Sequence, residues 1–304
     1  MSAIPDTRPV SRLPRRPPRP SFRGALGGEI LKLRRQGWIW AMLGVAVLLF
    51  ALFSLTVLQV THMRQTLQAS PALFLYNLDD IYLNVFDSGA GILLLIVSAR
   101  LVGMEYTGGT IRILLGRGAG RVRLLLAKLV ALALLGLAIL AGYLVLVVGS
   151  VSLSVLSWGD RLRSLTAAPT HVWTDLRVSL LIALTSVGIA ILIGATAAVV
   201  GRSLTFGLAA ALVLFPADNV LAEIFSLLFQ LTHLHFWLDL TTYLLGPALN
   251  ALPTVMERDR VPHVAFAPPA IPVSAAHDWL VVGGWAVALL LAALLLARLR
   301  DVLE

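Results

Sequence analysis

Residues 38–60 read WIWAMLGVAVLLFALFSLTVLQV, with no charged side chain from end to end. Wound as an α-helix at 1.5 Å per residue, this stretch is about 34 Å long, enough to cross the roughly 30 Å hydrocarbon core of a bilayer. Uncharged runs of the same kind recur at 129–158, 178–201 and 279–297. Two further runs carry ionisable side chains, one with Asp87 and one with Pro216, Asp218 and Glu223. The reading is an all-α polytopic membrane protein whose spans cover 38–60, 83–103, 127–158, 177–200, 203–229 and 279–297, the fifth broken near 216.

Composition excludes the main alternatives. Of 304 residues, 58% are hydrophobic and only 13% charged, against about 25% charged in an ordinary soluble domain. A water-soluble enzyme and a disordered chain are both ruled out. The net charge of +8 marks membrane orientation rather than nucleic-acid binding. With both termini cytoplasmic, six spans leave only Arg64, Arg161, Arg163, Arg177, Arg258 and Arg260 outside, of 24 basic residues. The absence of cysteine excludes disulfides, thiol catalysis and cysteine metal sites.

Outside the spans, 1–21 reads as a disordered basic arm rich in proline and arginine, and 22–37 as an interfacial helix. In the latter, Phe22, Leu26, Ile30 and Leu33 recur at helical spacing, although Gly27 and Gly28 weaken it. The linkers 61–82 and 159–177 read as external loops. The segment 230–278 reads as an external cap, helical in its first half and proline-rich in its second. Asp87 and Asp218 are candidates for a translocation path, because a carboxylate in hydrocarbon faces a cavity, a partner or the interface. The alternative for Asp218 is that the span ends at Pro216 and Asp218 or Asn219 caps a new helix with Glu223 in its first turn. For Asp87 both readings stand. All six histidines fall outside. His233 and His235 lack the third and fourth ligands that zinc needs, so no metal site is assigned.

The most patterned stretch joins spans two and three. Residues 105–129 read EYTGGTIRILLGRGAGRVRLLLAKL. Thr107 or Thr110 serves as a cap for a short helix whose apolar residues are Ile111, Leu114 and Leu115. Glycines between 116 and 120 end it, and arginines flank it. Here the chain resembles the permease subunits of ATP-binding-cassette (ABC) transporters of the second, exporter-like type. The matching residues are Glu105, Gly109, Thr110, Ile111, Arg112, Leu114, Leu115, Arg117, Arg121 and Lys128. Gly118 stands where that family usually has proline.

That resemblance implies a coupling loop over 104–123, with Glu105, Gly109, Thr110, Ile111, Arg112, Leu114, Arg117 and Arg121 as its ATPase-coupling residues. Glu105 would pair with Arg112 or with a basic residue of a partner. It further implies a separate ATPase subunit carrying ATP and Mg, a second permease chain in a homodimer or heterodimer, and transport by alternating access, export more than import. The chain itself has no G-x-x-x-x-G-K-[ST] loop, and its only lysines are Lys32 and Lys128. It therefore binds no nucleotide recognisable from sequence, and no catalytic residue or bound cofactor is assigned. Two rival classes remain in view. A secondary transporter would want inverted repeats or paired broken helices. A membrane-embedded enzyme would want a carboxylate cluster, or a better setting for Ser88 than Asp87-Ser88-Gly89.

Overall fold

A computed structural model describes residues 21–60, 62–109, 120–160, 162–256 and 270–299. Among them every regular element is a helix, and six are long and apolar enough to cross a membrane. A leading helix, Phe22–Arg35, precedes span one, Gly37–Val60, with a single non-helical residue, Gln36, between them. Span two is Pro71–Thr107, span three Arg121–Ser157, span four Thr170–Gly201, span five Leu204–Thr232 and span six Ala275–Leu299. Two short helices, Phe236–Thr241 and Leu245–Met256, lie between spans five and six.

All six expected spans are present, but several are longer than hydropathy indicates. Spans two and three have 37 residues each, about 55 Å of helix against about 30 Å of hydrocarbon. Of the stretch 61–82, expected as a loop, residues 63–82 are instead the helix Met63–Ala69, the capping residue Ser70 and the first turns of span two. The cause is local. Ser70 caps span two by accepting from the Leu73 amide at 3.3 Å, and Pro71, with φ preset and no N–H to satisfy, opens the helix. Span four likewise starts at Thr170, seven residues before the expected 177. In the leading helix, Gly27 and Gly28 do not break the element, which Ser21 caps through the Gly24 amide at 3.1 Å.

Span five corrects the sequence reading more sharply. It runs unbroken through Pro216. Proline removes one backbone donor from the helical ladder, and that single loss does not divide the helix. Glu223 accordingly sits in mid-helix rather than in the first turn of a new one.

Spans two and four form the buried pair, while spans one, three, five and six keep most of their apolar surface outward. Small residues permit the central crossings, as membrane helices without a hydrophobic drive between them require. A Cβ at Gly194 of span four would run into Ser98 Oγ and lie 2.5 Å from the Leu95 carbonyl oxygen of span two. A Cβ at Gly103 would lie 2.9 Å from Leu204 Cα at the start of span five. Farther along the same pair, the Tyr76 hydroxyl donates to Asp175 at 2.6 Å and the Ser179 hydroxyl to Asp79 at 2.8 Å. Span one joins through aromatic packing. Its Phe50 meets Tyr82 and Tyr143 at centroid distances of 5.7 and 5.2 Å, and Ser54 shares a 2.7 Å hydrogen bond with the Tyr82 hydroxyl.

Overpacking a site of this kind costs about 1–3 kcal/mol or more. Gly194→Leu is expected to lower the thermal unfolding temperature of the detergent-purified protein. Gly142→Leu on span three, where a Cβ meets nothing within 4 Å, should leave it unchanged. Equal melting temperatures for both variants would contradict the crossing described.

Candidate functional site

The two lysines of this chain meet in one cluster. Lys32 lies on the leading helix three residues after Glu29, so the two share a face. Glu105 is on the last turns of span two, and Lys128 is on the second turn of span three. Lys128 Nζ lies 2.8 Å from Glu29 Oε2 and 2.7 Å from Glu105 Oε1. Lys32 Nζ lies 2.7 Å from Glu29 Oε1 and 2.7 Å from Glu105 Oε1. Two ammoniums and two carboxylates thus form a neutral quartet linking three helices.

Glu29, Glu105 and Lys128 are only 2%, 6% and 3% exposed, so water does not screen these charges. A buried charge is tolerated when it is paired and its hydrogen-bonding capacity is filled. Lys128 meets that condition with all three of its donors, since Nζ also donates to the Leu101 carbonyl at 3.4 Å. Lys32 is at the open side of the cluster. Burial lowers the basicity of its ammonium, but the hydrogen bonds and charges of Glu105 and Glu29 outweigh that and hold it above the ordinary lysine value of 10.5.

The quartet stands at the two stems of the loop between spans two and three. Of the residues expected to couple to a partner, Thr110, Ile111, Arg112, Leu114 and Arg117 lie outside the described residues, and so does the expected short helix. Glu105, Gly109 and Arg121 are described. Glu105 Oε1 is engaged by two lysines of its own chain. Gly109 follows the end of span two with a left-handed φ of 64° that glycine tolerates, and Arg121 opens span three. Thr107, one of two residues expected to cap the short helix, is the last residue of span two and engages span five. Its hydroxyl donates to the Gly103 carbonyl at 3.2 Å and accepts from the Leu204 amide at 3.0 Å.

Glu29, Lys32 and Lys128 were not among the coupling residues read from sequence. One signal was available for Glu29, which interrupts the apolar face formed by Leu26, Ile30 and Leu33. The candidate path residues are not brought together by any described contact. Asp87 Oδ1 is buried in span two without a hydrogen-bond partner among the described residues. Asp218 Oδ2 accepts from the Gly246 amide at 2.9 Å, in the first turn of the helix Leu245–Met256, and the Asn250 amide donates to Asn219 at 3.0 Å. Asp218 therefore docks that short helix on span five, and does not start a new helix within the span. His233 ends span five and His235 precedes the next helix. No group of three or more metal-ligating side chains occurs among the described residues.

Six apolar helices, two of them a buried pair and four packed outside it, with paired charges at one end, define a multi-pass α-helical membrane protein. Residues 25–217, well over half of the chain, match the family described as ABC-2 family transporter protein. The chain belongs to that family, whose members are the membrane permeases of ABC transporters. The match takes in all four quartet residues and the loop between them. No curated protein matches the sequence.

Removing one partner from a buried ion pair costs about 3–5 kcal/mol, because the other charge is left uncompensated. Lys128→Met should destabilise the protein by an amount in that range in denaturant unfolding. Combining it with Glu29→Gln should recover part of the loss, and strict additivity of the two would remove the pair from the account. The linkage of Lys32 has a definite sign. Its folded-state value is raised, so its contribution is complete below 10.5 and is lost as pH rises through the higher folded value. Wild-type stability relative to Lys32→Met should hold constant through neutral pH and decline only in strong alkali, as unfolding measured across pH will show.

Proposed function

We propose that this chain is the permease subunit of an ABC exporter of the cytoplasmic membrane. Both termini and the loop over 104–123 are cytoplasmic, and a separate ATPase subunit docks on that loop. Two permease chains flank the substrate path, and closure of the partner's ATP- and Mg-loaded sites drives the spans between inward-open and outward-open arrangements. The arginines concentrated at this end support the orientation.

The observation that carries the reading is the ion quartet at the loop's stems. A push on a loop is absorbed when its ends are free. Here Glu105 and Lys128, which bracket the loop, are joined to each other and to the leading helix. A force applied between them passes into spans two and three instead of bending the connection. In this scheme Ile111 and Leu114 supply the apolar contact to the ATPase, Arg112, Arg117 and Arg121 the charged one, and Gly109 and Thr110 the turn into the contact helix. Glu29, Lys32 and Lys128 are positioning residues, since they act through Glu105. The buried carboxylate of Asp87 supports a place for it beside the substrate path.

Because the chain has no cysteine, single cysteines serve as specific labels. A photo-crosslinker at position 111 or 114 should capture an ATPase subunit in native vesicles, and capture of no such subunit at either position would overturn the reading. Spin labels at the far ends of spans two and six should change separation when ATP is added. Glu105→Gln with Arg112→Gln should cut that response about fivefold or more while the chain still inserts and copurifies. An unchanged response would remove the loop from the mechanism.

A further inference from the structure

The junction between the leading helix and span one concentrates positive charge that the quartet does not neutralise. Arg34 and Arg35 lie in the last turn of the leading helix, both exposed. Span one begins two residues later with no acidic residue in its first turn, so its own first turn gives the positive end of its dipole no counter-charge. Facing this junction from span two is Arg100, whose guanidinium lies over the Trp38 ring, 4.7 Å from its centroid. Arg100 Nε is buried and has no hydrogen-bond partner, and Arg100 forms no ion pair among the described residues. Among the described residues, the carboxylates Glu29 and Glu105 near this level are both held by lysines.

An arginine inside a membrane span is costly without an anion, and cation–π stacking on Trp38 offsets only part of that cost. The depth of the site identifies the anion. Trp38 and Trp40 mark the interface, where indole rings settle at headgroup level. Trp40 is 59% exposed and donates through Nε1 to the Arg34 carbonyl at 2.9 Å, while Trp38 Nε1 donates to Gln36 at 3.1 Å. These bonds turn both indole N–H groups toward the junction and leave the guanidinium as the unmatched donor.

We propose that Arg100, stacked on Trp38 at the helix junction that Arg34 and Arg35 precede, binds the phosphate of an anionic phospholipid in the leaflet at the loop end of the molecule. The guanidinium fork matches phosphate oxygens in a way that an ammonium does not. The acyl chains lie along the exposed apolar faces of span one, where Val45, Leu48, Leu49 and Leu52 are more than half exposed. The inference rests on the proposed orientation only for naming this leaflet as the inner one. Its test needs no nucleotide or ATPase, so its failure leaves the coupling scheme standing.

The test uses the full-length chain in nanodiscs of phosphatidylcholine with or without phosphatidylglycerol, read by native mass spectrometry and by thermal unfolding. Wild type should retain phosphatidylglycerol and melt higher in its presence. Arg100→Gln should weaken retention roughly tenfold, as expected for one charge-assisted contact, and Arg100→Lys should recover only part. Should Arg100→Gln fail to fold, wild type decides alone: no preference for phosphatidylglycerol over phosphatidylcholine overturns the proposal. Equal retention by wild type and Arg100→Gln overturns it as well. Stabilisation of the wild type by millimolar inorganic phosphate without anionic lipid, matching that given by the lipid, would identify a small-anion site and overturn the lipid assignment.

Discussion

Charge neutrality in a dry space is the constraint on which the rest of this structure depends. Glu29, Glu105 and Lys128 are nearly inaccessible to water, and none can remain charged there without the others. Satisfying Lys128 requires the leading helix to lie where Glu29 reaches it, and requires span two to end beside the start of span three. One electrostatic requirement thereby places an amphipathic segment that hydropathy alone leaves free to slide along a membrane surface.

Elsewhere the bundle is held by shape and by hydrogen bonds more than by charge. Gly194 and Gly103 let backbones approach where any side chain would obstruct them. Tyr76 with Asp175, and Ser179 with Asp79, join spans two and four farther from the loop. Span five meets the others through its first turns, where Ala211 is fully buried beside residues of spans two and four, and through the short helix that Asp218 docks. Its remaining surface, with Val213, Val220, Leu227 and Leu231 all more than half exposed, is apolar and open.

The six spans were legible because uncharged runs of membrane length have no other common use in a chain so poor in charge. Their ends were not, because hydropathy reports where hydrocarbon stops and says nothing of where a helix stops. Span two continues a dozen residues past the apolar run since Ser70 and Pro71 supply a helix start that polarity obscures. Pro216 misled in the opposite direction, as a breaker that costs one hydrogen bond without dividing the helix. At the site, the loop pattern singled out Glu105, but its partners are 23 and 73 positions away in sequence. Periodicity carries no information at that range. The chain's scarcity of lysine was visible; that both lysines converge on one pair of glutamates was not.

The length of spans two and three has a mechanical corollary. Each is an uninterrupted helix of 37 residues, a lever about 55 Å long. A swing of about 5° at one tip sweeps the other through roughly 5 Å, about the pitch of one helical turn. That travel exceeds the reach of the hydrogen bonds Tyr76–Asp175 and Ser179–Asp79, so span two cannot tilt by so much against span four and keep both bonds.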